Sequence, residues 1–348
     1  MKTHHLIIGL LLLFVISLSS CDFSATLVKA TGVPYEIVVV MDKANWEQEA
    51  GAAVKGELQS PIPGLPQIEP AFKITYVTPD QFNGLLTYVK NILLVNVNNT
   101  RFTKTSVSYE RDRWAQGQVV ATLNTPDGES LAEFMDANQN SLTGFFTGIE
   151  MKRTGALLEK TYSTTVMDNA KNLFDVMLNA PTDMVYNRID KDFFWASNNA
   201  ISGRTDMIIY SFPYRDADTF TQEYLVAKRD SVLKANLPGA FPNSYMTTET
   251  RGLTYTPITV RGKYCGVLRG LWKMVGDMMG GPFVSHFRLD EEYRRVVVVE
   301  GFVYAPEVDK RNYIRRIEAA LYTLRLPGEF DQPAVESAAS SSVEKVNE

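Results

Sequence analysis

Reactive side chains are scarce in this 348-residue chain, and the scarcity excludes most chemistry. Cys21 and Cys265 are its two cysteines, and of three histidines His4 and His5 fall in a leader, leaving His286. Structural zinc sites want four Cys or His ligands and catalytic ones usually take two or three His, so no metal site is expected. A Ser-His-Asp relay could form only at Ser285-His286-Phe287, where His286 lies between apolar residues of a strand and reads as structural. The G-x-S-x-G, H-E-x-x-H, G-x-x-x-x-G-K-[ST] and G-x-G-x-x-G patterns are absent, so no catalytic residue and no cofactor is assigned. Ser231-Val232-Leu233-Lys234 fits S-x-x-K, but Ser342-Val343-Glu344-Lys345 fits it equally and no K-T-G follows, which marks both as chance. Asp190 and Asp192, if extended, stand with Cα atoms about 6.6 Å apart at a rise of 3.3 Å per residue. Glycosidase carboxyls stand roughly 5 to 9.5 Å apart, so the spacing permits such chemistry, although Asp-Lys-Asp is more simply a turn.

The clearest modification signal is at the start. Lys2 precedes an apolar run from Leu6 to Ile16, shorter than the about 20 residues that span a bilayer, and residues 1–20 read as a cleaved signal peptide. Leu18-Ser19-Ser20-Cys21 looks like a bacterial lipobox, which makes Cys21 the lipidation site. Each buried methylene adds about 0.8 kcal/mol, so two or three acyl chains would hold the body on a membrane that it does not cross. Asp22-Phe23-Ser24-Ala25 lacks an acidic export tag, and a periplasm-facing place in the cell envelope is expected. With Cys21 acylated, Cys265 has no disulfide partner.

The formal net charge of -5, without a long basic run, argues against a nucleic-acid partner, and 45% hydrophobic residues can supply a core. After a tether over residues 21–33, Tyr35 to Val40 reads as a β-branched strand that opens the folded part. Trp46, Ala50, Val54 and Leu58 recur every four residues as a helix face. Prolines 61, 63, 66 and 70 make an extended loop. A strand over Lys73 to Val77 leads to Thr78-Pro79-Asp80-Gln81, a helix start carrying Phe82, Leu85, Leu86 and Val89. Strands at Ile92 to Val97 and Gln116 to Leu123 precede a helix with Leu131, Phe134, Met135 and Leu142. Later come a helix around Leu173, Phe174 and Met177, strands at Phe193 to Ala196 and Met207 to Phe212, and a helix from Thr219 to Ala235. Strands follow within Gly252 to Leu271, from Phe283 onward and over Arg295 to Tyr304, and a helix through Tyr313, Ile314, Ile317, Leu321 and Leu324 ends the body. This order predicts an α+β fold, largely antiparallel, with amphipathic helices on one face. The halves are 34–165 and 166–327, with a disordered acidic tail over 328–348. Val119 to Asp127 echoes Val299 to Glu307, which invites alignment of the halves as a diverged duplication.

Leu65-Pro66-Gln67-Ile68-Glu69-Pro70, Met279-Gly280-Gly281-Pro282-Phe283-Val284-Ser285 and Glu300-Gly301-Phe302-Val303-Tyr304-Ala305-Pro306, with Trp46, Trp114-Ala115-Gln116 and Gly270-Leu271-Trp272, run through nearly the whole chain. Together they resemble a domain-of-unknown-function family of Bacteroidetes cell-envelope lipoproteins. The resemblance implies a lipid-anchored envelope protein of no assigned activity, and it brings no catalytic residues.

Read physically, a stiff proline loop can present Gln67 and Glu69 to a partner, and Gly280 and Gly281 let backbone amides approach a ligand. Met274, Met278 and Met279 beside them could line an adaptable groove. Arg261, Lys263, Arg269 and Lys273 interleave with Tyr264 and Trp272, a pattern for an anionic headgroup or glycan if they share a face. Asp230-Ser231-Val232 also fits a bacterial O-glycosylation acceptor. The expected function is a non-enzymatic binding or scaffold module, held on the membrane by its N-terminal lipid, with an envelope protein or glycan as partner. The alternative is a carboxylate-based hydrolase acting on carbohydrate.

Overall fold

The computed structural model describes residues 27–332, so the leader, Cys21 and most of the acidic tail lie outside the described residues. The fold is α+β, with a five-stranded sheet of order β2-β1-β3-β5-β4 and a seven-stranded sheet of order β6-β7-β8-β12-β11-β10-β9. The smaller sheet comprises β1 Glu36–Val40, β2 Lys73–Val77, β3 Asn91–Val97, β4 Ser106–Arg111 and β5 Val119–Thr125. The larger comprises β6 Tyr186–Asp190, β7 Phe193–Ser197, β8 Arg204–Pro213, β9 Tyr245–Val260, β10 Lys263–Val275, β11 Gly280–Asp290 and β12 Arg295–Tyr304.

Pairing in the larger sheet is antiparallel throughout. In the smaller sheet β1 pairs in parallel with β2 and β3, and β3 with β5, leaving β4 as the antiparallel edge. The parallel ladder is possible because α1 Lys43–Trp46, α2 Glu49–Leu58 and the proline loop form a crossover long enough to return the chain in the same direction. Ile37 and Val39 buried on one face of β1 and Val38 and Val40 on the other suit that arrangement. One face packs on α2, α3 Gly128–Ala137 and α4 Ser141–Lys160 through Val54, Leu58, Leu131, Met135 and Phe146. Phe82, Leu86, Val89 and Trp114 cover the other face.

The helix expected after Thr78 does not form. Gln81 does accept a hydrogen bond from the Thr78 backbone N–H at 3.3 Å, but Gly84 takes φ +56° and only a 3₁₀ turn, Gly84–Tyr88, follows. The expected face around Trp46 is split as well. Trp46 sits in α1 and stacks on Tyr76 with ring centroids 4.4 Å apart, while a Cβ at Gly51 would lie 2.0 Å from the Trp46 carbonyl oxygen.

The larger sheet has helices on both faces, not one. α5 Thr164–Phe174 and α7 Arg311–Leu321 cover the face bearing Met207, Ile209, Val297 and Val299. α6 Gln222–Asn236 covers the face bearing Ile208, Tyr210, Val298 and Phe302. Period-two alternation along strands buried on both sides produces these two cores. The sheets differ in strand number, order and direction, so the echo between Val119–Asp127 and Val299–Glu307 does not extend to topology.

The sequence halves are joined by specific contacts. Glu69 is 5% exposed, and its carboxylate accepts hydrogen bonds from the backbone N–H groups of Lys310 (2.8 and 3.0 Å) and Arg311 (2.8 Å), at the start of α7. Gly64, at φ +79°, brings the proline loop against the backbone of Gly270. The expected tether is paired in part, with Lys29 bridged to Gln116 and Thr31 to Val89. The expected tail begins inside the body, since Glu329 is buried and forms a bidentate pair with Arg288 at 2.9 and 2.6 Å. Among the described residues no helix is long and apolar enough to cross a membrane.

Candidate functional site: an aromatic and methionine groove with two arginines

A groove of about 350 Å³ crosses one face of the larger sheet. Alternation places Arg188 of β6, Trp195 of β7, Arg204 of β8, Phe302 and Tyr304 of β12, Trp272 and Met274 of β10 and Met246 of β9 along it. Leu237, Pro238, Gly239 and Ala240, which follow α6, form its remaining wall with Met279. The lining contains no carboxylate, histidine, cysteine or serine.

Trp272 is a structural anchor of this groove. It is buried, and its indole N–H donates to the carbonyl oxygen of Val303 at 3.1 Å, across β11. Gly281, opposite Trp272 in the ladder, makes that reach possible: a Cβ there would lie 3.1 Å from the indole nitrogen and 2.0 Å from the Val303 oxygen. Gly280 is nearly as confined, its Cβ falling 2.9 Å from the Trp272 carbonyl oxygen. The glycine pair therefore makes room for the protein's own tryptophan and does not offer amides to a ligand. Trp272 packs edge-on against Phe302 with centroids 5.7 Å apart.

Arg204 is held from behind. Its Nε donates to both oxygens of Asp206 at 3.1 and 3.0 Å, and the Trp195 indole N–H donates to the same carboxylate at 3.0 Å. Burial pushes the Asp206 carboxyl up and the Arg204 guanidinium opposes this. Arg188 lies opposite Trp195 in the ladder, half-exposed, with Asp190 at 3.6 Å. Sequence spacing does not mark Arg188, Trp195, Arg204 or Tyr304; the legible clue is the same-face pair Arg204 and Asp206 at the start of an apolar strand.

The other sequence-marked residues fall elsewhere. Gln67 is exposed, while Glu69 is committed to α7 and cannot serve as a partner contact. The basic strand face does not exist, because Lys263, Arg269 and Lys273 alternate with Tyr264 and Trp272 onto the opposite side. Arg261 stands in the β9–β10 turn and donates to the Leu324 carbonyl at 3.4 Å, Arg269 pairs with Glu318, and Lys273 pairs with Glu249 at 3.0 Å. Asp190 ends β6 and Asp192, at φ +57°, turns the hairpin into β7. His286 is buried edge-on against Tyr322, centroids 4.7 Å apart, and burial pulls its pKa down to about 3. Burial pushes the Cys265 thiol up to about 12, which leaves it protonated and unreactive. Asp230 accepts from the Thr248 backbone N–H at 2.8 Å and hydroxyl at 2.6 Å, so it fastens α6 to β9, and Ser231 beside it is exposed.

Beneath the proline loop lies a second cavity, of about 320 Å³, between Pro63, Leu65, Phe283 and Arg315. A third, of about 420 Å³ between α2 and α3, is lined by Glu49, Glu57 and Asp136. Glu57 is spent there, its oxygens accepting from the backbone N–H groups of Asn140 and Thr143 at 3.0 Å each to cap α4. Among the described residues no group of three or more His, Cys, Asp or Glu could hold a metal ion.

Two family models match the chain, and both describe a domain of unknown function. One, DUF8532, covers residues 30–159 with the smaller sheet and the proline loop. The other, DUF4837, covers residues 163–323 and contains every residue of the groove. No curated protein matches the chain.

Proposed function

We propose that this chain is the body of a lipid-anchored cell-envelope protein that binds a ligand in the groove and does not transform it. The observation that carries the reading is the lining itself: indole, phenyl, phenol and thioether surfaces with two guanidinium groups, and no side chain suited to nucleophilic or carboxylate acid-base catalysis. Small-molecule pockets run from about 300 to 1,000 Å³, so a groove of about 350 Å³ suits a small molecule better than a folded partner, whose footprint is nearer 800 Å². Anchoring rests on the Leu18-Ser19-Ser20-Cys21 pattern. The hydrolase alternative gains nothing from Asp190 and Asp192 in their hairpin, or from Glu57, whose oxygens already cap a helix.

One fractionation tests both parts. Cys21→Ala should move the protein from the membrane pellet to the soluble fraction, and the soluble body should bind a neutral apolar dye saturably. A Cys21→Ala variant that still sediments contradicts the anchor, and a folded soluble body that takes up no dye contradicts the binding site.

A further inference from the structure

The strand order gives the groove two unlike ends. Arg188 and Arg204 come from β6 and β8 at one side, whereas Met246 and Met274 come from β9 and β10 at the other, with Met279 in the turn beyond β10. Apolar surface continues past the methionine end through Phe241 and Met278, which are 59% and 102% exposed next to Ala240 and Met279. At the opposite end Arg204 commits Nε to Asp206, and among the described residues its two terminal nitrogens make no hydrogen bond. A planar guanidinium with both terminal groups uncommitted matches a carboxylate.

We infer that the groove takes a single-chain amphiphile, with a carboxylate head between Arg188 and Arg204 and an acyl chain over Trp272 and the methionines. The inference rests on reading the groove as a binding site and adds the ligand class. The charge count favours a monoanion. Asp206 offsets Arg204 and the exposed Asp190 stands 3.6 Å from Arg188, so little net positive charge is left for the ligand, and a dianionic phosphate would bring more negative charge than this end can take up. Met side chains have three rotatable bonds and adapt to a flexible chain without one fixed shape.

The probe is sodium laurate below its micelle concentration, with binding read by tryptophan fluorescence. Of the four tryptophans, Trp195 and Trp272 line the groove, so Trp46→Phe/Trp114→Phe protein confines the signal to the site. Laurate should produce a saturable change. Dodecyltrimethylammonium should bind at least about tenfold more weakly, and dodecyl phosphate more weakly at a pH where it is dianionic. Arg188→Gln, on an exposed edge strand that tolerates it, should weaken laurate about tenfold, the scale of one lost charge-assisted contact. The double variant Arg204→Gln/Asp206→Asn, which leaves no buried orphan carboxylate, should weaken it further. Equal binding of the cationic and anionic amphiphiles, or laurate affinity unchanged in Arg188→Gln, overturns the ligand class and leaves the groove reading standing. Tighter binding of dodecyl phosphate overturns the carboxylate head, and displacement of laurate by an apolar peptide with an amidated C-terminus overturns the small-molecule occupant. A groove whose tryptophans respond to none of the amphiphiles overturns both inference and reading.

Discussion

Buried titratable residues are of two kinds here, a neutral imidazole and paired ions, and only the first was legible. That His286 is structural follows from its apolar neighbours in sequence, whereas the ion pair fastening α6 to the sheet does not. Arg229 donates to Glu300 through two bonds of 2.8 and 2.6 Å, lies over Phe283 and bonds the Thr248 hydroxyl, all from positions far apart in the chain. No local spacing encodes such a partnership. His286 gives a pH prediction. Its folded pKa of about 3 lies below the ordinary 6.5, so between those values the unfolded chain binds a proton that the folded one refuses. Stability from this residue is therefore complete above pH 6.5 and lost as pH falls, at roughly 1.4 kcal/mol per unit. Urea unfolding at pH 7 and pH 5 should show the parent losing about 2 kcal/mol more than His286→Phe. Equal losses would mean that the imidazole is protonated or solvated in the fold.

At the scale of elements, periodicity located most strands, and Arg295 to Tyr304 has the expected bounds because its run of valines can be nothing else. The Thr78 helix failed for a local reason: a correct start signal does not compensate for Gly84 in the left-handed region three residues after Gln81. The parallel pairs of the smaller sheet were missed because crossover direction is a tertiary property that strand composition does not report. Gly280 and Gly281 were noticed for the right property, absence of a side chain, and assigned the wrong beneficiary. Gly281→Ala should cost about 1 to 3 kcal/mol as an overpacked site and shift Trp272 emission as its bond to Val303 breaks. Gly280→Ala should cost less, since its nearest clash is 2.9 Å against 2.0 Å. Thermal unfolding of both variants checks the order, and equal, negligible costs would show that Trp272 does not depend on the glycine gap.

Over the whole molecule, the sequence conveyed an α+β body with its folded part opening at Tyr35, and the structure extends order at both ends, to paired Lys29 and buried Glu329. The proline loop became a brace between the two halves because Glu69 caps a helix more than two hundred residues away, a distance over which sequence patterns are silent. The groove was half legible: Trp272 and the methionines could be picked out, but the arginines that give it polarity arrive from strands at the other side of the sheet. The central claim is that this groove is a ligand site. Methionine-methyl NMR of the soluble body tests it most directly, with laurate as titrant against the twelve methionines of the chain. The account predicts saturable shifts for Met246, Met274 and Met279 while the buried Met135 and Met184 stay fixed. Groove methyls that do not move, or equal movement at Met135 and Met184, would contradict it.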